Sequence, residues 1–214
     1  MAEHIALLGD SIFDNAAYTQ GLPDVVTHLR RIVPAGTTAT LLAVDGSTTA
    51  DVQKQVAKLP SDVSRAAVSM GGNDAILHAD VLDFPVTSTR DALAMFGERA
   101  AMFEASYRTA LAEVVGRVPQ TAVCTIYNAN LPDEEAALAR VSLMLFNDVI
   151  LRVAFEAHLP VIDLRLVCVD PADYANQIEP SSQGAEKIAK SIAAALGLAT
   201  GTAAVSRIFA ATAV

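Results

Sequence analysis

Five short apolar runs, each separated from the next by segments with apolar residues at helical spacing, fix the class of this chain. Residues 5–8, 38–44, 66–70, 121–126 and 159–164 read as strands, bounded by Gly, Pro, Asp or Asn. Val25, Val26, Leu29 and Ile32 recur at helical spacing and stop at Pro34 and Gly36. Thr48 and Asp51 resemble a capping box opening a short helix through Val56 and Leu59. A short helix is expected over 74–82, and the Pro- and Thr-containing stretch 83–89 reads as a loop. Leu93, Phe96, Ala100, Phe103, Tyr107, Leu111 and Val114 step by threes and fours, the core-facing seam of a long helix. Leu138, Val141, Leu145 and Val149 mark another, and Ile188, Ile192 and Leu196 a last one closed by Gly197. Alternation of this kind predicts an α/β fold: a three-layer αβα arrangement around a five-stranded parallel sheet. Each crossover must return the chain to the same end of the sheet.

In such sheets ligands sit beyond the carboxyl ends of the strands, where the strand order reverses. With the order 2-1-3-4-5, strands one and three meet there, and both end in glycine-marked polar sequence. The first runs into Gly9-Asp10-Ser11-Ile12 and the third into Gly71-Gly72-Asn73-Asp74, with Gly46 nearby after the second. Each motif alone is ordinary turn chemistry. Their convergence makes Ser11 a candidate nucleophile. Phosphate binding is the competing use of such a crevice, but no Gly-x-Gly-x-x-Gly or Walker-type lysine follows the first strand.

Composition narrows the function classes. The chain has 214 residues, 52% hydrophobic and 18% charged, which suits one globular domain with a large core. We expect that domain to span 1–198, followed by an apolar tail, 199–214, that could pair with a second copy. A formal charge of -9 disfavours nucleic acid. No run of eighteen apolar residues predicts a membrane span. The start lacks a basic region before an apolar segment, so a cytoplasmic location is expected. Cys124 and Cys168 lie in apolar sequence and read as reduced thiols, too few for a zinc framework. Neither metal nor cofactor is called for.

Gly9-Asp10-Ser11, Gly46 and Gly71-Gly72-Asn73-Asp74 resemble, in order, the first three sequence blocks of the SGNH, or GDSL, hydrolases. Ile178-Glu179-Pro180-Ser181, with Gly184 and Lys187-Ile188-Ala189, is similar to the final block. The resemblance implies a flavodoxin-like SGNH hydrolase fold and an esterase or lipase activity. It also implies a serine nucleophile at Ser11 and an oxyanion hole from the Ser11 and Gly46 backbone N–H groups and the Asn73 amide. Fixed donors of this kind stabilise the charge of an acyl-transfer intermediate.

The last block departs from the family pattern. Where the family has Asp-x-x-His, with the histidine as general base, this chain has Asn176-Gln177-Ile178-Glu179. Three explanations stand. Glu179 is itself the base, burial compensating an intrinsic pKa about two units below that of His. Alternatively His78, five residues after Asn73, is the base. Otherwise the crevice has lost hydrolysis and serves ligand binding or a slower acyl transfer. Asp10, Asp74 and Asn176 are candidate supporting residues, and Ile12, Tyr127, Asn128 and Phe84 candidate substrate contacts, with the 83–89 loop as a lid. Asp163-Leu164-Arg165 reads as a structural ion pair. The expected reaction is hydrolysis of a small acyl or acetyl ester, a small-molecule substrate, through a Ser11 acyl-enzyme.

Overall fold

The computed structural model describes residues 3–199 together with Val205, Ser206 and Ile208. The expectation of a self-associating tail therefore lies outside the described residues. Five parallel strands, β1 (His4–Gly9), β2 (Thr38–Leu41), β3 (Arg65–Ser69), β4 (Thr121–Cys124) and β5 (Val161–Ile162), form one sheet in the order β2-β1-β3-β4-β5. The helices are α1 (Val25–Ile32), α2 (Val52–Val56), α3 (Gly72–Leu77), α4 (Thr89–Arg117), α5 (Asp133–Glu156), α6 (Leu164–Val167) and α7 (Ser182–Ala195).

The two-residue period of a strand divides the core. Ile5 and Leu7 of β1, with Ala67, Ala122 and Ile162, face Val25 and Leu29 of α1 and Ile188 and Ile192 of α7. Ala6 and Leu8, with Ala66, Val68 and Val123, face Val52 of α2, Phe103, Tyr107 and Leu111 of α4, and Val149 and Ile150 of α5. Side-chain oxygens satisfy N–H groups at the helix starts. Asp24 accepts from Thr27 N (2.9 Å), Ser88 from Asp91 N (3.1 Å) and Ser181 from Gly184 N (3.2 Å). The capping box at Thr48 and Asp51 is present. Asp163 caps α6 and holds Arg165 at 2.6 Å, the structural ion pair read from the sequence.

Two departures from the sequence reading shape the functional end. Strands β2, β4 and β5 are shorter than their apolar runs. After β2, Leu42 N and Ala43 N both donate to Leu7 O (2.8 and 2.9 Å), so the ladder breaks and the chain turns away. Helices α4 and α5, by contrast, greatly outreach the sheet. Their 29 and 24 residues rise about 43 and 36 Å at 1.5 Å per residue, whereas β3, with five residues, spans roughly 17 Å. Only their second halves pack on strands: burial begins at Phe103 in α4 and at Phe146 in α5. Both return the chain from the carboxyl edge of the sheet to the opposite edge, so their first halves stand beyond the carboxyl edge. Leu93, Leu138 and Val141, which periodicity placed on the core seam, are exposed there, at 67%, 52% and 62%.

Candidate active site

The site is assembled where β1 and β3 end. Gly9 has φ +123°, and a Cβ there would lie 1.6 Å from Ser69 O, so only glycine lets the two strand ends approach. Asp10 N donates to Ser69 O (3.0 Å) across that gap. The buried Gln55 amide of α2 grips Gly9 from the other side, accepting from its N–H (2.7 Å) and donating to its carbonyl (2.8 Å). Ser11 follows on this fixed peptide and is buried.

Ser11 Oγ donates to Glu179 Oε1 at 3.1 Å, joining residues 168 apart in sequence. Glu179 is only 6% exposed, and its second oxygen, Oε2, has no hydrogen-bond partner. Burial pushes its pKa up to about 6, the Ser11 hydroxyl opposes that shift, and the charge of Asp45 adds to it. The backbone around the carboxylate is held from three sides. Asn176 Oδ1 accepts from the N–H groups of Ile178 and Glu179 (both 2.9 Å), Tyr127 OH donates to Ile178 O, and Asn15 Nδ2 donates to Pro180 O (3.1 Å). Asn176 thus bonds the backbone of Glu179 rather than its carboxylate.

Three hydrogen-bond donors named from the sequence follow β1, β2 and β3, Ser11 and Asn73 lining the cavity and Gly46 outside its lining. The N–H groups of Ser11 and Gly46 have no protein acceptor among the described residues. Asn73 Nδ2 donates to Ser47 O (2.9 Å), which ties it to the Gly46 turn and leaves its second amide hydrogen available. Asp74 accepts from Thr49 N (3.1 Å) and Thr49 Oγ1 (2.6 Å) and so fastens α3 to the segment after β2. Asp10 accepts from Ile12 N (3.2 Å), and its burial raises its pKa to about 7, hydrogen bonds opposing the shift and the Glu179 charge adding to it.

A cavity of about 300 Å³ opens at Ser11. Ile12, Tyr127, Asn73 and His78 line it. The His78 ring stacks on Phe146 (6.2 Å between centroids) and makes no hydrogen bond to Ser11. Two expected contacts lie elsewhere. Asn128 is absent from the lining, its carbonyl accepting instead from Tyr174 OH. Phe84 is half exposed and also outside the lining, as is the whole 83–89 loop. The walls come from Val81, Leu82, Phe96, Leu143 and Phe146. Phe96 therefore lines the cavity rather than the core, because its turn of α4 lies beyond the strands. The signal available in the sequence was the length of the two periodic segments against that of the strands. Among the described residues no three His, Cys, Asp or Glu side chains gather as metal ligands, and none of the helices is long and apolar enough to cross a membrane. Cys124 and Cys168 are buried free thiols.

Solved structures share this fold. A phospholipase A1 from Streptomyces albidoflavus superposes with a TM-score of 0.63 at 18% identity, covering 87% of this chain and 96% of its own. An acetylxylan esterase from Geobacillus stearothermophilus gives 0.65 at 17% identity, covering 91% and 94%. An alpha/beta hydrolase enzyme from the metagenome of Lake Arreo, Spain, gives 0.66 at 21% identity, covering 92% and 97%. No curated protein sequence matches significantly. The profile of the GDSL-like lipase/acylhydrolase family matches residues 7–187, from the middle of β1 into α7, and so takes in every strand and both halves of the Ser11–Glu179 pair. The chain belongs to the GDSL-like lipase/acylhydrolase family.

Proposed function

We propose that this chain is a serine ester hydrolase in which Glu179 replaces histidine as the general base. The observation that carries the reading is the 3.1 Å hydrogen bond from Ser11 Oγ to a buried carboxylate whose pKa is raised to about 6. A free glutamate titrates near 4.3 and a histidine near 6.5, so burial closes most of the roughly two-unit gap between them. In the acylation step Ser11 Oγ bonds to the ester carbonyl carbon and its proton passes to Glu179 Oε1. The carbonyl oxygen, now anionic, meets the N–H groups of Ser11 and Gly46 and the free amide hydrogen of Asn73. Collapse of this intermediate breaks the bond to the alcohol, which leaves with the proton from Glu179. Water then attacks the acyl-enzyme, gives a proton to the same carboxylate, and releases the acid as the proton returns to Ser11.

Hydrolysis of p-nitrophenyl butyrate by the wild type, Ser11→Ala and Glu179→Gln tests this. Both variants should lose on the order of 10²–10⁴ in kcat. Equal rates for all three proteins would remove the hydrolase reading. Full activity in Glu179→Gln alone would move the base elsewhere, with His78→Ala as the next variant.

A further inference from the structure

The cavity beside Ser11 has two chemically different halves. The carboxyl edge of the sheet carries polar groups: Asp10 and Ser11 after β1, Thr125 after β4, Asn73 in the first turn of α3 and Glu179 ahead of α7. The wall beyond them is built by the segment 79–83 and the projecting halves of α4 and α5, through Val81, Leu82, Phe96, Leu143 and Phe146. Three polar side chains stand on this wall, His78, Arg99 and Ser142. Arg99 pairs with Asp80 (3.2 Å), Ser142 Oγ donates to Leu138 O (3.1 Å), and His78 stacks on Phe146. A sugar ring seated there would find few partners for its several hydroxyl groups, each unmet one costing roughly 1–3 kcal/mol by mutational data. A hydrocarbon chain loses nothing of the kind.

The orientation of an ester follows from the proposed chemistry, on which this inference rests. Glu179 protonates the leaving alcohol, so the alcohol departs on the flank of Glu179, where Asp45 raises the carboxyl pKa and Tyr18 OH donates to Asp45 (2.7 Å). The acyl group then points the other way, into the cavity between α4 and α5. We infer that this cavity is an acyl-chain site and that the enzyme prefers esters of straight-chain acids well above acetate in length. A methylene occupies about the volume of one liquid water, roughly 30 Å³, so 300 Å³, the reacting carboxyl group included, bounds the chain at about ten carbons.

The test is a series of p-nitrophenyl esters from acetate to laurate, with octyl acetate as the ester carrying its chain on the alcohol. The transfer free energy of a buried methylene predicts about fourfold in kcat/KM per carbon. At least a hundredfold gain from acetate to octanoate is expected, with a decline beyond about ten carbons. Ala139 of α5 lines the same wall, and Ala139→Phe should move the optimum to shorter chains. In parallel, octanamide and acetamide are titrated calorimetrically into Ser11→Ala, which reads the cavity without turnover. Octanamide should bind at least tenfold tighter. Acetate turned over as well as octanoate, with octanamide binding no tighter than acetamide, would overturn the acyl site and leave the hydrolase standing. A gain seen only for the alcohol chain would overturn it too. Tight octanamide binding with no ester hydrolysed would instead uphold the site and remove the catalytic reading.

Discussion

Glu179 ties activity and stability to pH in opposite senses. A base must be unprotonated, so kcat/KM should rise with pH through about 6 and level off above about 7.5. At pH 5 about a tenth of the carboxyl is ionised, against more than four fifths for a solvent-exposed glutamate, so a tenfold loss from plateau to pH 5 measures the effect of burial. Stability runs the other way. The folded pKa lies above the reference 4.5, so the native state binds the proton more tightly than the unfolded chain. The native state therefore loses stability as pH rises from about 4.5 to 6, and the full penalty persists above that. The shift of about 1.5 units corresponds to at most about 2 kcal/mol, and closer to ~1 kcal/mol once water entering the cavity screens the charge. Glu179→Gln removes that charge. At pH 8 it should be as stable as the wild type or up to about 1–2 kcal/mol more stable in urea, while losing on the order of 10²–10⁴ in kcat. A merely structural glutamate would cost stability on removal. A rate flat from pH 4.5 to 8.5, or a Glu179→Gln variant within about threefold of wild type, would refute the reasoning.

Tyr127 is a positioning residue in this scheme, since its hydroxyl holds the carbonyl just before Glu179. Tyr127→Phe should lower kcat by about tenfold with KM within about twofold and displace the acidic limb of the pH profile, which an unchanged profile would contradict. Asp10, with its pKa raised by burial, also makes the native state less stable as pH rises, here between about 4 and 7. Asp10→Asn should therefore melt relatively higher at pH 8 than at pH 4 when compared with wild type by scanning calorimetry. Gln55→Ala strips two hydrogen bonds from Gly9, leaving its buried N–H without that acceptor while its carbonyl keeps the Val44 N–H (3.1 Å), and should cost about 1–3 kcal/mol by urea unfolding.

The sheet and its carboxyl-edge crevice were legible in the sequence because they rest on local rules. Apolar runs such as Ala66 to Met70 alternate with helical periodicity, and turn residues stop them where the crevice forms. Motif order alone pointed to Ser11, Gly46 and Asn73, whereas the close approach of two strand ends at Gly9 emerged only with the fold. What tertiary structure decided depends on distance in space. Glu179 is one of three readings the sequence leaves open; that its carboxylate, and not His78, meets the Ser11 hydroxyl 168 residues away, and that burial raises its pKa, belong to the folded site. Phe96, Leu138 and Val141 show the same limit. Periodicity identifies the apolar face of a helix, but only the short strands reveal that the first halves of α4 and α5 overshoot the core, where Phe96 walls a cavity and Leu138 and Val141 stand exposed. An amphipathic pattern records that a face wants cover; what covers it is settled by where the neighbouring elements end.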